Sequence, residues 1–175
     1  MKSKLNNKAI FLDRDGVLNY LIERDGGLFS PRKFSDFKLY EDTFDTIKKL
    51  RSKKFLTIII SNQPDISRSK MSKSELNKMS QYLYDKLEID DIFYSFDSDI
   101  EKNGTKKPSP KMIYLAQSKW NIDLSRSYMV GDSIADLECA KNANLKFILM
   151  KRIDSKIDNN IEIKNLNDLL GIISK

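Results

Sequence analysis

The sequence predicts an α/β fold: a doubly wound parallel sheet with helices on both faces and no large cap domain. Short apolar runs alternate with longer amphipathic stretches along the chain, and strands that alternate with helices in this way form parallel sheets. The 175 residues are a usual length for one domain. The sequence has no internal repeat, low-complexity segment or linker that would divide it, and we therefore expect residues 1–175 to form a single domain.

The strands are predicted from short apolar runs in which β-branched residues are frequent. Residues 55–60, with the sequence FLTIII, have the composition of a strand buried on both faces. The other predicted strands are 8–12, 92–96, 128–130, 147–150 and 161–163. Residues 20–40 follow the first strand, and their Asp-Gly-Gly and Ser-Pro sequences predict an irregular loop or a small flap over the site.

The helices are predicted from apolar residues that recur every three or four positions. The predicted helices are 42–53, 72–87, 110–120, 134–142 and 166–173. In the first of them we expect Phe44, Ile47 and Leu50 to face the core. In the second, the apolar stripe comprises Leu76, Met79, Leu83 and Leu87. The third follows Ser109, a good capping residue, and begins with Pro110, which suits the first helical position.

The composition excludes several kinds of active site. The chain has no histidine, so Ser-His-Asp hydrolysis and histidine-ligated metal sites are excluded. A general acid or base must then be a carboxylate, a lysine or a tyrosine. The one cysteine, Cys139, rules out an internal disulfide and predicts a reducing, cytoplasmic location. No apolar run approaches the roughly 20 residues that cross a bilayer, so no membrane partner is expected.

The most informative segment is FLDRDGVLN, residues 11–19. Asp13 and Asp15 follow a predicted strand, in which alternate side chains share one face, and Gly16 allows the backbone to turn after them. Two carboxylates held so close are unfavourable unless a cation lies between them or one is protonated. Mg²⁺ prefers such oxygen ligands and commonly accompanies a phosphate. For this segment alone, an Asp-Gly turn without a metal is the alternative.

Three further segments carry polar groups suited to binding a phosphate and a metal ion. The residues concerned are Ser61, Asn62, Gln63, Lys106, Lys107 and Asp132. Ser61 and Asp132 come directly after predicted strands or one residue beyond them. Because the carboxyl ends of parallel strands line the crevice in which ligands bind, we expect these segments and the acidic pair to converge on one site.

Together, the four segments resemble the haloacid dehalogenase superfamily of phosphatases, whose motifs occur in this order. FLDRDGVLN, SNQPDISR, KKPSPKM and MVGDSIADLECAKNA resemble more narrowly the branch that contains heptose bisphosphate and histidinol-phosphate phosphatases. The resemblance extends over about residues 8–150. It implies a Rossmann-like core and a Mg²⁺-dependent phosphatase that hydrolyses a phosphate monoester through an aspartyl-phosphate.

The resemblance also implies roles for individual residues. Asp13 would be the nucleophile and Asp15 the general acid and base, whereas Asp136 would orient the cluster without binding the ion. The implied catalytic residues are Asp13, Asp15, Ser61 and Lys107. The implied metal ligands are Asp13, Asp15 through its backbone carbonyl, and Asp132. The candidate substrate-binding residues are Arg14, Asn19, Asn62, Gln63 and Lys106.

Three departures from the family surround the predicted leaving-group pocket. Relatives in this branch often carry zinc-binding cysteines and a histidine before the lysine motif, whereas residues 96–105 contain neither. We therefore expect no zinc. Asp65 stands where relatives usually have a glycine, and Lys106 stands where they carry an arginine. The segment after Asn19 also differs from the usual short loop.

The favoured substrate is a sugar bisphosphate of the heptose type. The intervals between the motifs are too short for a large cap, so short loops must select the substrate. Lys106, Arg24 and Arg68 could bind a second phosphate. Histidinol phosphate is the first alternative, because Asp65 and Glu23 could bind its amine.

Other classes of function are less favoured by the sequence. A polynucleotide 3′-phosphatase is the second alternative, but the basic residues behind the net charge of +6 often lie beside acidic ones, which disfavours a nucleic-acid partner. A binding module without activity is disfavoured because every residue of the implied reaction is present. We expect a monomer or a weak dimer.

Overall fold

The computed structural model describes residues 7–101, 104–153 and 156–173. Within these residues lies a six-stranded parallel sheet and a separate two-stranded hairpin, which confirms the predicted fold class. The strands are β1 (Lys8–Leu12), β2 (Ile22–Arg24), β3 (Gly27–Phe29), β4 (Phe55–Asn62), β5 (Asp91–Ser95), β6 (Tyr128–Gly131), β7 (Lys146–Met150) and β8 (Glu162–Ile163). The sheet has the order β5-β4-β1-β6-β7-β8, so β1 lies between β4 and β6.

Helices cover both faces of this sheet. They are α1 (Glu41–Ser52), α2 (Lys73–Leu87), α3 (Lys111–Trp120), α4 (Ile134–Asn142) and α5 (Leu169–Ile172). The last predicted helix, 166–173, is shorter than expected because Leu166–Asp168 forms a 3-10 turn before α5. None of the described helices is long and apolar enough to span a membrane.

The core has two layers, one on each face of the sheet. Alternate residues of β1 point to opposite faces: Ile10 and Leu12 pack in the layer with α1, α2 and α5, whereas Phe11 packs in the layer with α3 and α4. The predicted stripe of α2 is buried as expected. Cys139 is also buried, in the second layer.

The prediction that Phe44 faces the core was wrong, because its side chain is 40% exposed. The buried side of α1 comprises Thr43, Thr46, Ile47 and Leu50. Both threonines bury a hydroxyl that has a hydrogen-bond acceptor: Thr43 donates to the carbonyl of Leu18, and Thr46 to Asn167 Oδ1. Satisfied hydroxyls can be buried at little cost, and a pattern of apolar residues alone does not find them.

Strands β2 and β3 form a hairpin within residues 20–40, where an irregular loop or flap was predicted. Its two-residue turn is Asp25-Gly26, and both residues have positive φ, 50° and 75°. This is the conformation for which Asp-Gly is favoured in tight hairpins, so the sequence carried the signal. The side chains of Leu28 and Phe29 in β3 are about half exposed and lie beside the site described below.

Candidate active site

The strand order brings the predicted site residues together at the carboxyl edge of the sheet. Asp13 directly follows β1, and its backbone N–H donates to the carbonyl of Val130 in β6 at 2.9 Å. Ser61 lies near the end of β4 on one side of β1, and Asp132 follows β6 on the other. Because β1 is central, the nucleophile candidate lies between the hydroxyl and the second acidic residue.

Lys107 contributes a buried positive charge to the cluster that it forms with Asp13, Ser61, Asp132 and Asp136. Its Nζ lies 2.8 Å from Asp13 Oδ1 and 2.6 Å from Asp136 Oδ1, and it donates to the carbonyl of Ile60 at 3.1 Å. Burial alone would lower the pKa of Lys107, but Asp13 and Asp136 together raise it above its ordinary value. The ammonium therefore stays charged beside Asp13.

Asn62 fixes the segment that carries this lysine. The backbone N–H of Lys107 donates to Asn62 Oδ1 at 2.9 Å, and Asn62 Nδ2 donates to the carbonyl of Lys107 at 3.3 Å. This pair of hydrogen bonds joins the end of β4 to the loop before α3. Asn62 thus positions Lys107 as well as lining the cavity.

Asp136 completes the support of Lys107 from the first turn of α4. Its Oδ2 accepts from the backbone N–H of Ser133 at 3.1 Å, and Ser133 Oγ accepts from the backbone N–H of Asp136 at 3.3 Å, which together form a capping box. Oδ2 also lies 2.6 Å from Ser133 Oγ. Gly131 allows this approach, because a Cβ at that position would overlap the Asp136 side chain. Both carboxylate oxygens of Asp136 therefore have partners in the protein.

Three carboxylates of this cluster lie close enough together to surround one metal ion, and both oxygens of one of them, Asp136, already have partners in the protein. Each of Asp13, Asp132 and Asp136 has an oxygen within 4.8 Å of the others. Burial, with the neighbouring carboxylates adding to it, raises the pKa of Asp13 to about 7 and that of Asp132 to about 8, although Lys107 opposes the rise. A cation would relieve this repulsion, and an all-oxygen donor set suits a hard divalent ion. Gly16 lets the backbone lie against Asp132, since a Cβ there would overlap its carboxylate.

The carboxylate of Asp15 is fixed by a fully buried arginine, Arg14. Arg14 Nε and Nη2 donate to the Asp15 carboxylate at 2.9–3.1 Å, and Asn19 Nδ2 donates to Oδ1 at 3.0 Å. Burial is the largest influence and raises the pKa of Asp15. However, the charge of Arg14 and the hydrogen bonds from Asn19, Arg14 and Gln63 bring that pKa below its ordinary value.

Gln63 links Asp15 to the hydroxyl of β4. Its Nε2 donates to Asp15 Oδ2 at 2.7 Å and to Ser61 Oγ at 2.9 Å. Arg14, Asn19 and Gln63 together contact both oxygens of Asp15. Of these three predicted substrate-binding residues, Arg14 and Asn19 are wholly buried, and in this arrangement they reach Asp15 instead of open space.

The cluster forms the floor of a cavity of about 280 Å³. All the predicted catalytic and metal-binding residues line it: Asp13, Asp15, Ser61, Lys107 and Asp132. The rest of the lining includes Asn62, Ser133, Leu28 and Phe29 of the hairpin, and Ser30, which follows the hairpin. Lys106 does not line it; its Nζ donates to the carbonyl of Ser98 at 2.6 Å.

A second cavity of about 220 Å³ adjoins the first and shares Phe29, Ser30 and Asn62 with it. Its basic side chains are those of Arg24, Arg32, Arg68 and Lys70, and its acidic side chain is that of Asp65. Sequence reasoning had not singled out Arg32. Its placement depends on a tertiary contact between the hairpin and the loop after β4, for which no local pattern exists.

Comparison with known proteins agrees with this fold. Residues 28–144 match the model of the haloacid dehalogenase-like hydrolases, and the chain belongs to that family. Over 175 aligned residues it is 29% identical to D-glycero-beta-D-manno-heptose-1,7-bisphosphate 7-phosphatase of Helicobacter pylori, covering 95% of this chain and 97% of that protein. It is 25% identical to D-glycero-alpha-D-manno-heptose-1,7-bisphosphate 7-phosphatase of Campylobacter jejuni, covering 98% of each.

A solved structure has the same fold. The D,D-heptose 1,7-bisphosphate phosphatase of B. bronchiseptica, crystallised with magnesium and phosphate, aligns with a TM-score of 0.78. The alignment covers 95% of this chain and 98% of that one at 21% identity. At this level of identity the likeness establishes the fold.

Proposed function

We propose that this protein is a Mg²⁺-dependent phosphatase that removes the 7-phosphate of D-glycero-D-manno-heptose 1,7-bisphosphate. The observation that carries the proposal is the buried contact of Asp13 with Lys107 at the floor of a cavity, with Asp132 and Asp15 beside it. This arrangement provides a nucleophile, a fixed positive charge, a second metal ligand and a proton-transfer group within one cavity. The family and the relatives that match nearly the whole chain support it.

Asp13 is the nucleophile of the proposed reaction. Its carboxylate attacks phosphorus and displaces the sugar oxygen, which gives an aspartyl-phosphate that water then hydrolyses. Lys107 places a permanent positive charge beside the attacking oxygen, and Ser61 offers its hydroxyl to the phosphoryl group. Mg²⁺ held by Asp13, Asp132 and the backbone carbonyl of Asp15 would neutralise charge shared between the carboxylates and the phosphate.

Asp15 transfers the protons. In its protonated form it donates a proton to the departing sugar oxygen, and the carboxylate left behind later accepts a proton from the attacking water, which restores the protonated form. Five hydrogen-bond contacts from Arg14, Asn19 and Gln63 surround its carboxylate, and a carboxylate has about four acceptor positions. Protonation of Asp15 therefore requires it to give up one of these contacts, which help to hold its pKa below the ordinary value. Gln63, which also contacts Ser61, is the partner that lines the second cavity.

The bisphosphate is favoured over the alternative substrates by the second cavity. Its basic side chains suit a second phosphate on the same molecule. Histidinol phosphate would instead need carboxylates for its amine, and the carboxylate of Asp65 already pairs with Arg32 at 2.6 Å. A role in carbohydrate metabolism follows from the proposed substrate, while a cytoplasmic location, a single domain over residues 1–175 and a monomer or weak dimer remain predictions.

A phosphate-release assay tests the proposed substrate. The panel comprises both anomers of heptose 1,7-bisphosphate, histidinol phosphate, a hexose 6-phosphate and a 3′-phosphorylated oligonucleotide, each with Mg²⁺. We expect one heptose anomer to have the highest kcat/KM. A higher kcat/KM for histidinol phosphate or the oligonucleotide would overturn the substrate, and no release from any member would overturn the phosphatase itself.

A further inference from the structure

An ion pair joins the hairpin to the loop after β4 beside the reaction cavity. Arg32 Nε donates to Asp65 Oδ2 at 2.6 Å. Arg32 follows the hairpin by three residues, and Asp65 lies three residues after the end of β4. Both side chains line the second cavity, to which Gln63 also contributes. The pair therefore lies on the side of the site where Gln63 contacts Asp15.

The pair engages only one edge of the guanidinium. Arg32 contacts Asp65 through Nε, and neither Nη atom donates a hydrogen bond to the residues that the structure describes. A guanidinium has five N–H donors in a rigid planar arrangement. An arginine held at Nε can therefore present both Nη groups to a second anion. Its side chain is 31% exposed and is accessible from the cavity.

The other basic side chains of this cavity, those of Arg24, Arg68 and Lys70, have no ion pair with a carboxylate of residues 7–101, 104–153 or 156–173. Arg24 Nη2 donates to the carbonyl of Ser30 at 3.3 Å, and Arg68 Nη2 donates to the carbonyl of Ser98 at 2.8 Å. A carbonyl orients a guanidinium but carries no net charge to cancel it. The second cavity thus has an excess of positive charge, which attracts an anion.

We propose that Arg32 is a specificity-determining residue that binds the phosphate group that is not transferred, and that Asp65 is a positioning residue that holds Arg32 toward it. The inference rests on the proposed function, because it takes a sugar bisphosphate as the substrate. It also accounts for a carboxylate beside an anionic substrate. Arg32 neutralises Asp65, and Asp65 in turn fixes the direction of the Nη groups.

The test compares two substrates that differ only in the second phosphate: heptose 1,7-bisphosphate and heptose 7-phosphate. Arg32→Gln should raise KM for the bisphosphate by about 10- to 100-fold, the effect of losing one charge-assisted contact. The change for heptose 7-phosphate should be at least tenfold smaller. Lys33→Gln removes the same charge from the neighbouring exposed residue, which lines neither cavity, and should leave both values within about twofold.

Substitutions of Asp65 distinguish three roles for this residue. Asp65 could hold Arg32 toward the phosphate, compete with the phosphate for Arg32, or only link the two segments of the chain. Asp65→Ala should raise KM for the bisphosphate by about 3- to 10-fold, and Asp65→Asn, which keeps an acceptor for Arg32 Nε, should recover most of that loss. A lower KM in Asp65→Ala would mean that Asp65 competes with the phosphate and would overturn its role. Equal losses on both substrates in all variants would indicate a structural link only and would also overturn the inference.

The outcome for the wild type distinguishes this inference from the proposed function. If the wild type prefers the bisphosphate and Arg32→Gln keeps that preference, the inference is overturned and the proposed substrate stands. If the wild type hydrolyses both heptose phosphates with equal kcat/KM, the inference and the choice of a bisphosphate both fail, while the phosphatase activity stands.

Discussion

The cluster at the strand ends and the loops above it pair their charges in different ways. At the strand ends, Lys107 contacts two carboxylates and is almost wholly buried. In the loops, Arg24, Arg68 and Lys106 donate to backbone carbonyls and remain partly or largely exposed. The comparison teaches that the charges at the strand ends form a closed network held by the sheet, whereas the guanidinium groups of Arg24 and Arg68 keep their charge available to an anion in the second cavity.

The largest expected effects come from substituting Asp13 and Asp15 in the cluster at the strand ends. Asp13→Asn removes the proposed nucleophile and a metal ligand, and Asp15→Asn removes the proton-transfer group while keeping its shape. Each should lower kcat by at least ~10²-fold, with Asp13→Asn the more severe. Steady-state phosphate release measures both, and a smaller loss in Asp13→Asn than in Asp15→Asn would contradict the assigned roles.

Lys107 and Lys106 are adjacent in the chain, but Lys107 belongs to the cluster at the strand ends and Lys106 to the loops. The same substitution at each position therefore compares the two regions. Lys107→Met leaves the carboxylates of Asp13 and Asp136 without their cation, and it should cost about 3–5 kcal/mol of unfolding free energy and at least ~10²-fold in kcat. Lys106 lines neither cavity, so Lys106→Met should change the unfolding free energy by less than about 0.5 kcal/mol and leave kcat within about twofold. Urea unfolding and kinetics check both. Comparable stability losses in the two variants would remove the distinction between the regions.

The cluster is expected to hold Mg²⁺, whereas the loop at residues 96–105 is expected to hold no zinc. A chelator should abolish activity and Mg²⁺ should restore it, and Asp132→Asn should raise the Mg²⁺ concentration for half-maximal activity by at least ~10-fold. No zinc is expected at residues 96–105, because a zinc site needs about four nitrogen or sulfur donors and the chain has one cysteine and no histidine. One zinc per chain surviving dialysis in elemental analysis would contradict this.

The sequence could predict most of the strand-end cluster because its geometry follows from local rules. A carboxylate after a buried strand must lie at the carboxyl edge of a parallel sheet, so Asp13 and Asp132 could be placed without coordinates. The partners of the cluster were harder to predict. The contact of Asn62 with the Lys107 backbone and that of Arg14 with Asp15 depend on side-chain direction.

The contacts between the loops could not be predicted in the same detail, because they join residues that are far apart in the sequence. The Arg32–Asp65 pair joins residues 33 positions apart, and the pattern of neither segment specifies the other. The hairpin was the exception, since Asp25-Gly26 is a local signal for a tight turn. Phe44 illustrates the converse error: an apolar residue at a plausible helical position is exposed because two hydrogen-bonded threonines occupy the buried side.

The smallest expected effect concerns the loop between β5 and Lys107, in which Asp97 accepts several hydrogen bonds. Its Oδ2 accepts from the backbone N–H of Thr105 at 2.6 Å, from Thr105 Oγ1 at 3.0 Å and from the backbone N–H of Lys106 at 3.3 Å. The two bonds from Thr105 are the main reason that the pKa of Asp97 is lowered. Its stabilisation is therefore present above the ordinary pKa of 3.8 and is lost as pH falls through the lower pKa of the folded state.

Asp97→Ala should reproduce that loss at neutral pH. The amide protons of Thr105 and Lys106 should exchange faster than in the wild type, KM should rise by about 2- to 5-fold, and kcat should change by less than about twofold. Asp99→Ala, which removes an exposed carboxylate of the same loop, is the control and should leave the exchange unchanged. Equal exchange in both variants would rule out Asp97 as the group that orders this loop.

The most direct test of the strand-end chemistry is to trap the phosphorylated enzyme. Protein mixed with Mg²⁺ and heptose 1,7-bisphosphate is quenched in acid within one turnover, digested, and mapped by mass spectrometry. We expect one phosphoryl group on the peptide that contains Asp13, and none in Asp13→Asn. A phosphoryl group on another residue, or near-normal turnover in Asp13→Asn, would contradict the assignment of Asp13 as the nucleophile.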